Sequence, residues 1–174
     1  MPLAETTPDC QPESRRCPVV LDAFVASSFL GFIGSMLSAD DVQRGRSLFA
    51  DREGEEIADP VLALADDATD PEGPSSAPFD GEGSASRRTP LIEGGRLLTF
   101  LFDVRTARRA GRSTTGNASR GSYRSPPSVG TGNLILEPGE KTLEELFEAA
   151  GEQVVAEVFE HGEAGPRIPR DHVG

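Results

Sequence analysis

Two adjacent glycines, Gly94 and Gly95, stand between two apolar runs in TPLIEGGRLLTFLFD (Thr89–Asp103). The arrangement reads as a tight hairpin, because glycine takes the positive φ angles of a short turn at no steric cost. The pair commits the middle of the chain to antiparallel strands. Pro90 has no N–H to donate, which pushes the first of these strands toward a sheet edge or a strand start.

Around the hairpin, short helical and extended patterns alternate. CPVVL (Cys17–Leu21) is a β-branched run that reads as a strand. Leu21, Val25, Phe29, Phe32, Ile33, Met36 and Leu37 recur at helical spacing, with Asp22 as N-cap, and a second helical turn starts at Asp40 or Asp41. PVLALAD reads as a strand running into Asp66 and Asp67, and Pro71 to Pro78 as a loop. Beyond the hairpin, DVRTARRAGR is a short basic helix, STTGNASRGSYRSPPSVGTG a long polar loop and NLILEPG a strand. KTLEELFEAAG is the clearest helix: Thr142 and Glu145 form a capping box and Gly151 ends it. EQVVAEVFEHG returns as a strand. Short helices interspersed with hairpin-like strands define an α+β fold with a mixed, largely antiparallel sheet.

The 174 residues carry a net charge of −12. So acidic a surface repels nucleic-acid phosphates and anionic lipid head groups, and no partner of either kind is expected. No apolar run reaches membrane-spanning length, and the polar, proline-bearing start lacks the pattern of a secretory signal, so the chain is expected in the cytoplasm. Cys10 and Cys17 fit neither a CxxC pair nor a zinc knuckle; they read as two unpaired thiols, with a disulfide between them as the alternative.

Few catalytic constellations survive. The histidines are His161 and His172. A zinc-peptidase helix needs two histidines one turn apart with a glutamate to activate water, whereas EHGE places His161 between Glu160 and Glu163 in a glycine-flanked turn. No G-x-S-x-G elbow is present, and STTGNASRG lacks the spacing and the lysine of a phosphate-binding loop. There remains Phe79-Asp80-Gly81-Glu82-Gly83. Its carboxylates alternate with glycines, which suits a cation, a peptide amine or simply a solvated turn.

The series PFDGEGSASRRTPLIEGGRLLTFLFDVRTARRAGRSTTGNASR resembles the TldD/PmbA family, also called the modulator of DNA gyrase family. The family shows an FDxEG-like turn (Phe79–Gly83), a TPLIEGG hairpin (Thr89–Gly95), a D-x-x-x-A helix start (Asp103–Ala107) and a TGNA-x-R loop (Thr115–Ala118 with Arg120). Downstream, TGNLILEPGEKTLEELF is similar to its TNL-x-L-x-PG strand and following helix. The resemblance covers residues 17–160, with 1–16 as a flexible leader or linker and 161–174 as a divergent tail. The family's separate N-terminal domain and its glycine-rich GDFS-like segment have no counterpart here, so a truncated or divergent copy is expected.

The resemblance implies a soluble two-subunit metallopeptidase acting on unfolded or modified peptides. One subunit type carries a zinc-binding histidine helix. This chain has none in that place, and VQRGRSLF resembles the zinc-free PmbA/TldE type. The expected partner is a TldD-like zinc-bearing subunit, with no cofactor in this chain. Asp80, Glu82, Gly83, Asn117 and Arg120 are the expected substrate-lining residues: the acids meet a peptide amine or basic side chain, Arg120 a carboxylate or carbonyl, and the glycines keep the floor low for an extended peptide. The alternative is a binding or assembly module with no role in proteolysis.

Overall fold

The computed structural model describes residues 19–150 and 154–156. In chain order its elements are β1 (Val19–Leu21), α1 (Ala23–Met36), α2 (Ala39–Gln43), β2 (Leu64–Asp67), β3 (Arg88–Glu93), β4 (Arg96–Leu97), α3 (Val104–Ala110), β5 (Ala118–Ser119), β6 (Ser128–Val129), β7 (Leu134–Leu136), α4 (Leu143–Ala150) and β8 (Val154–Ala156). They fall into two compact units, residues 1–25 with 141–174, and residues 26–140. The fold is α+β, as the hairpin and the helical patterns require.

In the first unit β1 pairs with β8 in parallel, Val19 opposite Val154 and Leu21 opposite Ala156. The α4 capping box is reciprocal: Thr142 N–H donates to Glu145 Oε2 at 2.7 Å and Glu145 N–H to Thr142 Oγ1 at 3.3 Å. Gly151, both cysteines and both histidines lie outside the described residues.

The second unit is built on a four-stranded antiparallel sheet of order β4-β3-β2-β7. Gly94 and Gly95 make the β3–β4 turn at φ 55° and 74°. A Cβ on Gly95 would overlap the Ala58 carbonyl, so both conformation and space demand glycine there. β3 lies between β2 and β4, but β4 pairs only with Ile92 and Glu93, so Pro90, near the start of β3, has β2 on one side and no β4 partner on the other, as its missing N–H requires. The β2–β3 ladder slips between Leu64, opposite Ile92, and Ala65, opposite Pro90, leaving Leu91 as an extra residue. A bulge of this kind accommodates a residue without an N–H inside a sheet.

Leu37, Leu64, Leu91, Leu97 and Leu101 form the centre of the core, with Phe100 and Phe102. The helical spacing of α1 holds, but its inward face is Leu30, Ile33, Gly34 and Leu37, at i, i+3, i+4 and i+7. Phe29 and Phe32, expected on that face, are exposed. Gly34 explains the rotation: a Cβ there would overlap Leu134 Cδ1, so the helix seats on β7 through its glycine.

Asp22 Oδ1 accepts from Val25 N–H at 2.7 Å, as an N-cap does. Ser38 caps α2, which starts at Ala39, one residue before the expected Asp40. Asp103 caps α3 through a capping box with Thr106, and Gly111 closes it in the left-handed conformation. The stretch expected to be one long polar loop contains the two-stranded ribbon β5–β6.

Candidate functional site

The acidic turn is folded around one carboxylate. Asp80 Oδ1 accepts from the N–H groups of Glu82 at 2.9 Å and Ser84 at 2.8 Å, an arrangement natural to aspartate in a turn. Its Oδ2 accepts from Ala118 N–H at 3.0 Å, and Gly81 N–H donates back to Ala118 O at 2.7 Å. The turn and the TGNA loop are thereby docked side by side. Arg120 closes the same joint: its Nε donates to Gly81 O at 2.7 Å and its Nη1 to Ser125 O at 3.2 Å. Glu82 points elsewhere. Its Oε2 accepts from Val104 N–H at 2.8 Å, at the start of α3, where a carboxylate complements the free N–H groups and the helix dipole. Gly83 takes φ 80° to complete the turn.

A second carboxylate holds the opposite wall. Asp66, at 0% exposure on β2, accepts from Gly132 N–H through Oδ1 at 2.7 Å and from Asn117 Nδ2 through Oδ2 at 2.6 Å. Burial pushes its carboxyl above the usual range; the bonds from Asn117 and Gly132 oppose that shift, and neighbouring Asp67 adds to it. Asp67 is held below the usual range, first by the Thr69 hydroxyl and then, more weakly, by Arg88. Gly130 N–H donates to Asn117 O at 2.9 Å, which ties the 130–132 segment to the TGNA loop.

Between these walls lies an open cleft of about 430 Å³. Asp80, Gly81, Asn117 and Arg120 line it, with Phe79, Ala77 and Ser75 along one side and Gly130, Thr131 and Gly132 along another. The structure therefore brings together Asp80, Asn117 and Arg120 of the five expected residues. Glu82 and Gly83 stand behind the turn and outside the lining. Asp80 is engaged by three backbone N–H groups and Arg120 by two carbonyls through Nε and Nη1, and the cleft lining is otherwise main chain and small side chains with Phe79.

Other glycines of the cleft have a packing role. A Cβ on Gly116 would come within 2.6 Å of Ala85 O, one on Gly130 within 2.7 Å of Ser119 Cβ, and one on Gly132 within 2.9 Å of Ala68 Cβ. They let the cleft loops close on one another. Asp66 and the 130–132 segment were not anticipated as part of the site. Their sequence signal is slight: an aspartate on the same strand face as Leu64, and a G-x-G pair before Asn133.

Among the described residues no three His, Cys, Asp or Glu side chains converge as a metal site. No helix of the described residues is long and apolar enough to cross a membrane.

Residues 14–166 match the family model described as PmbA/TldA metallopeptidase C-terminal domain. An uncharacterized protein of Methanocaldococcus jannaschii is 40% identical over 111 residues, 64% of this chain and 26% of that protein. A metalloprotease TldD homolog of Haemophilus influenzae is 31% identical over 147 residues, 84% of this chain and 30% of the homolog. The crystal structure of TldE from Thermococcus kodakarensis aligns with a TM-score of 0.63 at 26% identity, covering 75% of this chain and 32% of the other. The chain spans about a quarter to a third of the length of these relatives.

Proposed function

The chain belongs to the PmbA/TldD metallopeptidase family, and from that premise we propose that it is a PmbA/TldE-like subunit that positions peptide substrates for a zinc-bearing TldD-like partner. The observation that carries this reading is the cleft itself. Its walls are the family's own motif segments, the Phe79–Gly81 turn and the Gly116–Arg120 loop, locked together by Asp80 and Arg120. Both side chains fasten the walls of a groove lined by main chain and small residues.

Such a groove suits an extended peptide, which is recognised through its backbone with little demand on side-chain identity. Rigid walls reduce the ordering cost of binding. Within this reading, Asp80 and Arg120 hold the wall, Asn117 and the glycine segments line it, and Phe79, 60% exposed at the rim, offers an apolar contact for a substrate side chain. The partner's zinc supplies the hydrolytic chemistry, and no step of hydrolysis is assigned to this chain.

Co-expression with the TldD-like subunit, followed by gel filtration and a peptide-cleavage assay on the eluted peak, tests the proposal. Co-elution with turnover that neither chain shows alone supports it. Co-elution without turnover favours the assembly-module reading, and separate elution removes both.

A further inference from the structure

The least expected group in the second unit is the Asp66 carboxylate. It is fully buried, yet among the described residues no cation pairs with it. Arg88, on the neighbouring strand β3, is engaged by Asp67 and Glu137. Thr89 of β3 and Leu134 of β7 stand opposite Asp66 and carry no charge. Asp80, across the cleft, is occupied by three backbone N–H groups, and Arg120 by two carbonyls. Asp67 is the one neighbour whose charge acts on Asp66, and it repels.

Ionised, Asp66 can only accept hydrogen bonds. It therefore dictates the orientation of Asn117, whose Nδ2 must face Oδ2. The consequence is visible on the other side of the amide: Asn117 Oδ1 is sealed from solvent with no hydrogen-bond partner. A buried acceptor without a donor is disfavoured, and the side chain has one alternative. If Asp66 takes a proton on Oδ2, the new O–H needs an acceptor. A half-turn of the Asn117 amide brings Oδ1 to it, and Nδ2 moves to where Oδ1 had been. Gly132 N–H keeps its bond to Asp66 Oδ1 throughout.

We propose that Asp66 and Asn117 form a proton-controlled hydrogen-bond pair in the cleft wall, in which protonation of Asp66 inverts the Asn117 amide and converts an acceptor there into a donor. Asn117 and Gly132 both belong to the cleft wall, so the inversion changes the polarity of a sealed position within that wall. The desolvation of the buried carboxyl works in the same direction, favouring the protonated form at a higher pH than a free aspartate would. The pair is a property of this chain by itself and does not depend on what the cleft binds.

Backbone and side-chain amide resonances of the ¹⁵N-labelled full chain, followed from acid to neutral pH, provide the test. The Gly132 N–H and the Asn117 side-chain NH₂ should shift together with one midpoint, above the ordinary carboxylate range. In D66N, where residue 66 donates permanently, both should stop titrating and the Asn117 NH₂ should rest near its low-pH wild-type position. D67N should keep the titration. Flat Gly132 and Asn117 signals in the wild type, or an unaltered titration in D66N, would overturn the proposal. Should D66N not fold, N117A decides: loss of the Nδ2 donor must move the Gly132 midpoint upward, and an unmoved midpoint rejects the pair.

Discussion

Asp80 and Ala118, 38 residues apart, are joined side chain to backbone: the Asp80 carboxylate accepts from Ala118 N–H at 3.0 Å, and the next residue, Gly81, donates its N–H to Ala118 O at 2.7 Å. This joint explains why an acidic, glycine-broken turn precedes the hairpin. The turn's chief carboxylate is a fastener between two loops, and the hairpin carries one of those loops to the other.

D80A should therefore destabilise the fold even without any ligand. Three backbone N–H groups lose a charged acceptor, for an expected loss of about 3 kcal/mol. D80N should be nearly as damaging, because its amide can keep the Glu82 and Ser84 bonds only by turning an NH₂ toward Ala118 N–H. Urea unfolding of the two variants checks this; a D80N protein as stable as wild type would show that the bond to Ala118 contributes little.

Gly132 should tolerate no side chain. Its Cβ would lie 2.9 Å from Ala68 Cβ and 3.2 Å from Asp66 Oδ2. G132A is expected to cost about 1–3 kcal/mol by overpacking. G83A serves as a contrasting control, since a Cβ there meets nothing within 4 Å and carries only the strain of φ 80°. Thermal unfolding of the pair separates crowding from backbone conformation.

Asp66 gives a pH signature of definite sign. Burial raises its folded pKa above the ordinary aspartate value, so the folded state holds the proton more tightly than the unfolded chain. Its contribution to stability is full below the unfolded pKa and is lost as pH rises through the folded one. The stability of D66N minus that of wild type should accordingly grow over this window and level off above it. Denaturant titrations of both proteins at a series of pH values measure the difference directly. A difference that stays constant with pH would contradict the raised pKa.

How far the sequence carried these features depends on the range of the interaction. The α1 and α4 caps and the Gly94-Gly95 turn were legible because each is settled within a few residues: Asp22 with Val25, Thr142 with Glu145, and positive φ at adjacent glycines. The inward face of α1 was misplaced toward Phe29 and Phe32 because helical spacing fixes a period but not a phase. The phase came from Gly34 meeting Leu134, a contact 100 residues away in the chain. The β5–β6 ribbon is only two residues per strand and too short to show an alternating pattern. At the site, the family motif pointed to Asp80, Asn117 and Arg120, which do share the cleft. Asp66 escaped notice because an aspartate at the end of an apolar strand looks like a strand terminus until its two donors, on separate loops, are in place.

The most direct measurement of the central claim is peptide turnover by the co-purified complex carrying A77W in this chain. Ala77 is an exposed lining residue, and an indole there would fill much of the cleft while leaving the Asp80–Ala118 joint intact. The account predicts a complex that still co-elutes but turns peptide over at least about tenfold more slowly, a loss of roughly 1.4 kcal/mol in transition-state stabilisation. Full turnover with the cleft filled would contradict it.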